Sequence, residues 1–284
     1  MKLTDINIRD PFILPYKGKY YMYGTRATTT WDRVDRRFLG FDAYISEDLE
    51  NWSDPVSVFE YYEGFWGTHQ FWAPEVHMYK GKFYMLASFK CDERHRGTSI
   101  LVSDTPDGKF TPHSDGAVTP ADWSCLDGTL YIEDGTPYLV FCHEWTQISN
   151  GTVSAIQLSD DLKSSVGKPF DLWSGKDGNP WVVPHEKIHY VTDGPFLLKI
   201  ENELLCLWSS FGKDGYVEAI SRSENGKIRG RWTVDEKLLF EKDGGHGMIF
   251  TDHQGQMRFV YHSPNETPLE RPFTKIITRD MLTK

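Results

Sequence analysis

The 284-residue sequence lacks the long apolar runs of membrane-spanning helices and the strong helical periodicity of packed helices. Cysteine is scarce: none of Cys91, Cys125, Cys142 and Cys206 forms a C-x-x-C pair, and three lie in apolar, strand-like runs. We therefore expect buried free thiols in a reducing compartment. Met1 is followed by KLTDINIRDPF, which contains no apolar signal segment, so we expect a cytoplasmic protein.

The sequence also lacks an excess of positive charge. Its 31 Lys and Arg against 41 Asp and Glu give a formal net charge of −10. A chain of this charge repels phosphates, which argues against nucleic acids and anionic membranes as partners. The G-x-S-x-G, P-loop and G-x-G-x-x-G patterns are missing as well, so we expect no organic cofactor, and nothing in the sequence indicates a protein partner.

Aromatic residues, by contrast, are abundant. Trp, Tyr and Phe make up 14% of the chain, with 10, 14 and 17 residues respectively. This composition suits aromatic-rich β-structure, because large rings pack well on sheet faces. It also suits sugar binding, in which flat rings stack on pyranose or furanose faces.

Five stretches of the sequence share one pattern. Each has a polar residue beside Gly or Pro, a short apolar strand, a turn carrying Gly or Asn, and a second apolar-aromatic strand. They are RDPFILPYKGKYYMYGT from Arg9, WAPEVHMYKGKFYMLAS from Trp72, LDGTLYIEDGTPYLVFC from Leu126, TDGPFLLKIENELLCLW from Thr192 and GHGMIFTDHQGQMRFVY from Gly245. A further strand, a turn and a short fourth strand follow the first four hairpins.

Five repeats of about four strands predict an all-β fold, a five-bladed β-propeller with four-stranded antiparallel blades around a central channel. We expect one such domain over residues 1–284, with no appended β-sandwich. The first strand of each blade lines the channel. The leading polar residues should therefore form a ring at one mouth: Asp10, Glu75, Asp127, Asp193 and His246. Mutual repulsion of four acids costs stability unless a function or a cation offsets it, although Asp residues that cap Asp-Gly turns are an alternative.

The motifs RDPFI, WAPEV, LDGTLY, TDGPF and GGHGMIF, one per blade and in this order, resemble glycoside hydrolase family 43. The resemblance covers essentially the whole chain. It implies an inverting hydrolase of arabinose-, xylose- or galactose-containing glycosides, acting on an oligosaccharide substrate. It implies these site roles: Asp10 as general base, Asp127 as the acid that orients the general acid and raises its pKa, Trp72 beside the sugar, His246 near a water-held calcium ion and Arg271 as a late sugar-contacting arginine.

The sequence departs from the family at the general acid. The family has Glu-Gly-Pro in blade four, whereas this chain has Asp193-Gly-Pro, one methylene shorter. Asp193 remains one candidate for the acid. Glu144, in FCHEW at the end of the second strand of blade three, is another candidate. Its alternative interpretation is a rim residue that is hydrogen-bonded to a neighbouring residue. The third interpretation is a catalytically weakened, sugar-binding propeller.

Residues around the motifs complete the predicted pocket. His69 flanks WAPEV within reach of sugar hydroxyls, Glu75 belongs to the acid ring, and Trp145 is among the tryptophans expected to wall the mouth. The long aromatic segments 26–42 and 60–71 should crowd that mouth. We therefore expect exo action that removes arabinofuranosyl or xylosyl units, as in an α-L-arabinofuranosidase or β-xylosidase.

One motif points elsewhere. HEKIH, His185–His189, matches the H-E-x-x-H pattern, which binds zinc only when both histidines share a helix face. The preceding NPWVVP, the strand-like YVTDGPF that follows and the lack of an evident third ligand favour a polar loop between blades.

Overall fold

The computed structural model describes residues 1–31 and 35–283 of the chain. Within them, strands pair with their sequence neighbours into five antiparallel sheets, so the predicted five-bladed β-propeller is confirmed. Blade one contains β1 (Ile8–Tyr16), β2 (Lys19–Arg26), β3 (Gly40–Ser46) and β4 (Val56–Glu60). Blade two contains β5 (His69–Tyr79), β6 (Lys82–Lys90), β7 (Gly97–Ser103) and β8 (Thr111–Ala117).

The remaining three blades follow in order. Blade three contains β9 (Cys125–Glu133), β10 (Thr136–His143), β11 (Thr152–Leu158) and β12 (Ser165–Ser174). Blade four contains β13 (Asp193–Ile200), β14 (Glu203–Gly212), β15 (Gly215–Ser223) and β16 (Trp232–Val234). Blade five has three strands within the described ranges, β17 (Gly245–Thr251), β18 (Met257–Ser263) and β19 (Arg271–Ile276). Two single-turn helices, α1 (Trp145–Ile148) and α2 (Arg279–Leu282), complete the regular structure.

The hairpins that open the blades use tight turns that the sequence encodes directly. Lys17-Gly18, Lys80-Gly81 and Asp134-Gly135 each place both residues in the left-handed region. That conformation at both central positions defines the type I′ turn, whose twist matches the flanking strands. The Gly that recurs in the repeats is therefore required by the turn.

Each first strand is interrupted by a β-bulge, and the first residue of each bulge has a left-handed φ. These residues are Asp10 (55°), Ala73 (46°), Asp127 (57°), Gly194 (54°) and His246 (48°). The predicted equivalence is thus correct for Asp10, Asp127 and His246 and wrong for the other two. Glu75 lies two residues beyond its bulge residue and Asp193 one residue before it, because the acid is not the structurally repeated feature.

The bulges also connect neighbouring blades. In four of the five, the bulge N–H donates to a side chain on the second strand of the preceding blade. These bonds run from Ala73 to Thr25 Oγ1 (2.7 Å), from Asp127 to Ser88 Oγ (2.8 Å), from His246 to Ser209 Oγ (2.7 Å) and from Asp10 to His262 Nδ1 (3.2 Å). In the fifth, Gly194 N–H donates to Asp127 Oδ2 at 3.0 Å. We call this set the bulge ring.

Polar side chains join the last blade to the first. The Asn7 side-chain amide donates to the carbonyls of Pro268 (2.9 Å) and Glu270 (2.8 Å). Arg9 donates to Asn265 at 2.9 Å and lies 3.3 Å from the Glu270 carboxylate. Strand β19 pairs with β18 of its own blade, so these side chains, the bulge ring and the apolar packing of blade five on blade one close the propeller.

Apolar side chains fill the space between blades in four clusters. The largest packs blade one on blade two through edge-to-face and tilted phenylalanine pairs among Phe41, Phe71 and Phe89, with ring centroids 4.8–6.0 Å apart. All four cysteines are free and buried, as expected. Among the residues described, no helix has the length and apolar character needed to cross a membrane.

Asn7 offers a direct test of blade closure. We expect Asn7→Ala to lower the free energy of unfolding by about 1–3 kcal/mol, because it removes two hydrogen bonds between blades one and five. That loss corresponds to a fall in Tm of several degrees, roughly 2–4 °C per kcal/mol for a chain of this size. Thermal unfolding of Asn7→Ala and of Asn202→Ala, an exposed asparagine in the β13–β14 turn, measures the difference. Equal Tm values for both variants would contradict this account of closure.

Candidate active site

A cavity of about 640 Å³ opens at the end of the molecule where the first strands begin. All five blades contribute to its lining. Seven of the ten predicted site residues line it: Asp10, Trp72, Asp127, Glu144, Trp145, Asp193 and His246. The three aspartates, which are far apart in sequence, therefore meet at one mouth of the propeller.

Asp10 lies in a setting that favours the ionised form. Its Oδ2 accepts the Thr25 hydroxyl at 2.6 Å, and its Oδ1 lies 3.1 Å from His246 Nδ1 and 3.4 Å from Arg9 Nε. Burial acts to raise the pKa of Asp10, but the His246 imidazole and the Arg9 guanidinium outweigh it and hold that pKa well below its ordinary value. Asp10 is thus a buried carboxylate at neutral pH.

His262 supports Asp10 as a neutral imidazole. Burial, followed by the charge of Arg9, lowers the pKa of His262 to about 3. Its Nδ1 is then free to accept the Asp10 N–H, while Nε2 faces Asn265 Oδ1 at 3.1 Å. The tautomer with its proton on Nε2 satisfies both contacts.

The other two aspartates form a pair that retains a proton. Burial, together with the charge of Asp10, raises the pKa of Asp127 well above its ordinary value. Burial and then the charge of Asp127 raise the pKa of Asp193 to about 7. Two buried carboxyls that repel each other do not both ionise at neutral pH, so this pair can hold a transferable proton.

Tyr216 orients the Asp193 carboxyl. Its hydroxyl donates to Asp193 Oδ2 at 2.9 Å from the start of β15. Burial, with the charge of Asp193 second, raises the pKa of Tyr216 well above its ordinary value, so the hydroxyl stays protonated. Tyr216 was not predicted from the sequence, because the segment around it carries no motif and its role depends on the packing of β15 beside β14.

His246 lies between Asp10 and the pair of Asp127 and Asp193. Its Nδ1 is 3.1 Å from Asp10 Oδ1 and 3.8 Å from Asp127 Oδ2. Its ring lies against Gly194, where an added Cβ would come within 2.7 Å of the imidazole. Only glycine allows this approach, and the left-handed φ of Gly194 adds to that requirement.

The implied calcium site is not supported by this arrangement. His246 Nδ1 contacts the Asp10 carboxylate. Within residues 1–31 and 35–283, no group of three or more His, Cys, Asp or Glu side chains is placed to hold a metal ion. The resemblance implies a calcium ion held through waters, and calcium binding stays a prediction from that resemblance.

Glu144 is buried in the wall beside Arg96. Its Oε2 accepts the Ser124 hydroxyl at 2.5 Å and lies 3.5 Å from Arg96 Nε. Arg96 stacks on Trp72, with its guanidinium carbon 3.7 Å from the ring centroid, and donates to Gln70 at 3.0 Å. These contacts suit a carboxylate that fixes Arg96 and Trp72.

Aromatic side chains surround the three aspartates on two sides of the cavity. Trp72 donates to the Thr30 carbonyl at 2.7 Å, and Trp31 meets it edge-on at 5.1 Å. Trp31 Nε1 also donates to Thr267 of blade five at 2.9 Å, which bridges blades five and one above the cavity. Blades three and four supply Trp145, His185 and Phe211.

The H-E-x-x-H segment belongs to this second wall. His185 and His189 face each other across a tight turn, with His185 N–H donating to the His189 carbonyl at 2.7 Å. His185 stacks on Phe211 at 4.9 Å, and both histidines pack against Trp145. The loop expected between blades is confirmed, and His185 enters the cavity lining, which the motif alone did not indicate.

Three residues predicted to bind substrate lie outside the cavity. Glu75 is buried deeper in the channel, 2.9 Å from His77 Nε2. His69 lines a neighbouring cavity of about 650 Å³. Arg271 donates to the carbonyls of Thr4, Pro268 and Glu270, and so ties the amino terminus to blade five. His69 was predicted from its nearness to WAPEV, Glu75 from its place in the repeat and Arg271 from the family resemblance, and none of these fixes the direction of a side chain.

The family model of glycosyl hydrolases family 43 matches residues 4–280. Among solved structures, an endo-arabinase from Bacteroides thetaiotaomicron is 37% identical, with a TM-score of 0.89 over 98% of this chain and 96% of that one. An endo-1,4-beta-xylanase from the same organism is 26% identical, with a TM-score of 0.77 over 96% of this chain and 91% of the other.

A curated relative, xylosidase/arabinosidase 43A of Humicola insolens, is 25% identical over 61% of this chain and 52% of its own length. The chain spans about half the length of the curated relatives it matches. The family match, however, covers nearly all of the chain, and the endo-arabinase structure aligns with it almost end to end. The chain therefore belongs to glycosyl hydrolases family 43.

Proposed function

We propose that the protein is an inverting, exo-acting glycoside hydrolase that removes arabinofuranosyl or xylosyl units from oligosaccharides. The observation that carries the proposal is the meeting of Asp10, Asp127 and Asp193 in one cavity, where their neighbours favour different protonation states. The cavity contains an ionised carboxylate at Asp10 and a proton-holding pair at Asp127 and Asp193. Inversion requires one group of each kind on opposite sides of the scissile bond.

In this mechanism Asp10 is the general base. Its carboxylate removes a proton from the water that attacks the anomeric carbon. Thr25 and Arg9 hold the carboxylate in place. The proton of the acid pair passes from Asp193 to the leaving-group oxygen as the glycosidic bond breaks, and Tyr216 holds the Asp193 carboxyl for this transfer.

Asp193 is a better candidate for the acid than Glu144. A general acid must be protonated near the operating pH, and burial beside Asp127 raises the pKa of Asp193 to about 7. Glu144 instead faces the Arg96 guanidinium and accepts the Ser124 hydroxyl, so its carboxyl is held in the wall of the cavity. The same protonation argues against a weakened, merely sugar-binding site.

The names of the relatives support the sugar class. The similar structure is named an endo-arabinase, and the curated relatives are named as xylosidases or arabinosidases. We assign exo action because aromatic walls from blades one to four surround the acids and the Trp31–Thr267 bridge covers a further side. A chain end fits such a pocket, whereas an internal unit requires a groove open at both ends.

The acid assignment is tested by leaving-group dependence. We expect Asp193→Asn to lower kcat about 10²–10⁴-fold on a natural disaccharide, because the departing alkoxide then leaves without a proton. The loss should be far smaller on a 2,4-dinitrophenyl glycoside, whose leaving group needs no protonation. Asp10→Asn should lose activity on both substrates, because the attacking water needs a general base whichever leaving group departs.

Glu144→Gln serves as the matched control for Asp193→Asn. It should reduce activity on both substrates by a similar factor, because it disturbs Arg96 and Trp72 in the wall of the pocket. If leaving-group dependence appears in Glu144→Gln and is absent from Asp193→Asn, the acid is Glu144.

The pH profile gives a second test. The acid must be protonated, and the pKa of Asp193 is raised to about 7, so kcat/KM should fall about tenfold per unit as pH rises above that value. The pKa of Asp10 is lowered, so activity should persist well into the acid range until the fold itself fails. Initial rates between pH 4 and 9 measure both limbs. An alkaline limb that survives in Asp193→Asn would refute the assignment.

Product analysis decides between exo and endo action. On linear arabinan or xylan we expect monosaccharide to be released from the earliest time points, with little fall in viscosity. A control endo-hydrolase lowers viscosity before monosaccharide accumulates. Early release of mixed oligosaccharides by this protein would show that the pocket admits internal units.

A further inference from the structure

One bond of the bulge ring differs from the other four: its N–H donates to a carboxyl of the acid pair. The side chains that accept bulge N–H groups occupy one position on each second strand, directly opposite the residue that precedes the bulge. Thr25, Ser88, Ser209 and His262 pair in register with Arg9, Trp72, Asp193 and Gly245. In blade three that position, opposite Leu126, holds Cys142.

We propose that Cys142 is a positioning residue: it offers no hydroxyl at this position and thereby directs the Gly194 N–H to the Asp127 carboxylate. Gly194 N lies 3.0 Å from Asp127 Oδ2, the one bulge bond that ends on a carboxyl of the active site. Asp193 precedes Gly194 in the chain, so this bond fixes the two acids relative to each other. The inference rests on the proposed function for its kinetic consequence only.

Blade one shows what a hydroxyl does at the same position. Thr25 accepts the Ala73 N–H at 2.7 Å and donates to Asp10 Oδ2 at 2.6 Å, so a side chain separates the aspartate from the next blade. A thiol is a weak acceptor, whereas a carboxyl oxygen accepts a hydrogen bond from a backbone N–H readily. Cys142 therefore leaves Asp127 in direct contact with blade four.

The surroundings of Cys142 agree with this role. Its side chain is fully buried in the cluster that includes Leu126, Val140, Val153 and Cys206. The ionisable groups that face it are Asp127, Asp193 and Cys206, and burial raises the pKa of its own thiol well above the ordinary value. The thiol is thus an uncharged, space-filling group beside the acid pair.

The experiment compares Cys142→Ser, Cys142→Ala and Cys206→Ser. Serine at 142 reproduces the acceptor of blades two and four, so the Gly194 N–H should move to it and release Asp127. We expect kcat to fall about tenfold or more while KM changes less than about twofold, because displacement of about 1 Å in a reacting group is that costly. Cys142→Ala offers no acceptor and should keep a near-normal kcat.

Cys206→Ser is the matched control, since it places the same substitution at a fully buried cysteine of blade four. It should lower Tm without the selective fall in kcat. Equal losses of kcat in Cys142→Ser and Cys142→Ala would show that Cys142 acts only by packing and would overturn the proposal.

A second readout needs no catalysis. In ¹H–¹⁵N spectra the Gly194 amide proton, assigned with a segmentally labelled sample, should resonate downfield in the unaltered protein and in Cys142→Ala. It should move upfield in Cys142→Ser, where a hydroxyl replaces the carboxylate as acceptor. An unchanged resonance in Cys142→Ser would overturn the proposal. If the unaltered protein cleaves no glycoside, the proposed function fails, and this spectrum still decides the role of Cys142.

Discussion

The left-handed bulge in each inner strand is the constraint on which the rest of the structure depends. A bulge removes one residue from the ladder, so its N–H needs another acceptor, and a buried N–H without one is costly. The propeller meets this need between blades: each bulge donates to the blade before it. Because the donors and acceptors form a closed cycle, the same bonds that satisfy the backbone also fix the blades around the channel.

The bulge also explains why chemistry gathers at one end. It redirects a side chain at the start of the inner strand, where strands from all blades converge on the channel mouth. Ala73 and Gly194 occupy two of these positions with little or no side chain, and at Gly194 this leaves space for the His246 ring. Asp10 and Asp127 occupy two others and supply carboxyls. The left-handed bulge thus repeats in all five blades, while the residue type at its first position differs from blade to blade.

This separation of backbone and side-chain patterns determines what the sequence could predict. The hairpins, the five blades and the positions of Asp10, Asp127 and His246 follow from apolar alternation, turn glycines and repeat spacing. The offsets of Glu75 and Asp193 do not, because a bulge shifts register by one residue without a change in composition. Tyr216 and Arg96 reach the acids from third strands and loops, whose positions depend on packing between strands. The last residues of the first three repeats are Thr25, Ser88 and Cys142. They carry a sequence feature that the motifs did not include: a hydroxyl in two blades and a thiol in the third.

Asp10 and Asp127 show how neighbours, and not residue type, assign chemical roles in this fold. Both are aspartates at the same bulge position with nearly equal φ, and both are buried. Burial alone would raise both pKa values. Asp10 has Arg9, His246 and the Thr25 hydroxyl around its carboxyl, which stabilise the charge, whereas Asp127 lies near Asp10 itself and Asp193, which oppose it. The asymmetry follows from the basic side chains nearest Asp10: His246 Nδ1 lies 3.1 Å from its carboxylate, and Arg9, held against blade five by Asn265 and Glu270, lies 3.4 Å from it. Asp10 is ionised because it lies where blade five meets blade one, and the proton remains with Asp127 and Asp193 on blades three and four.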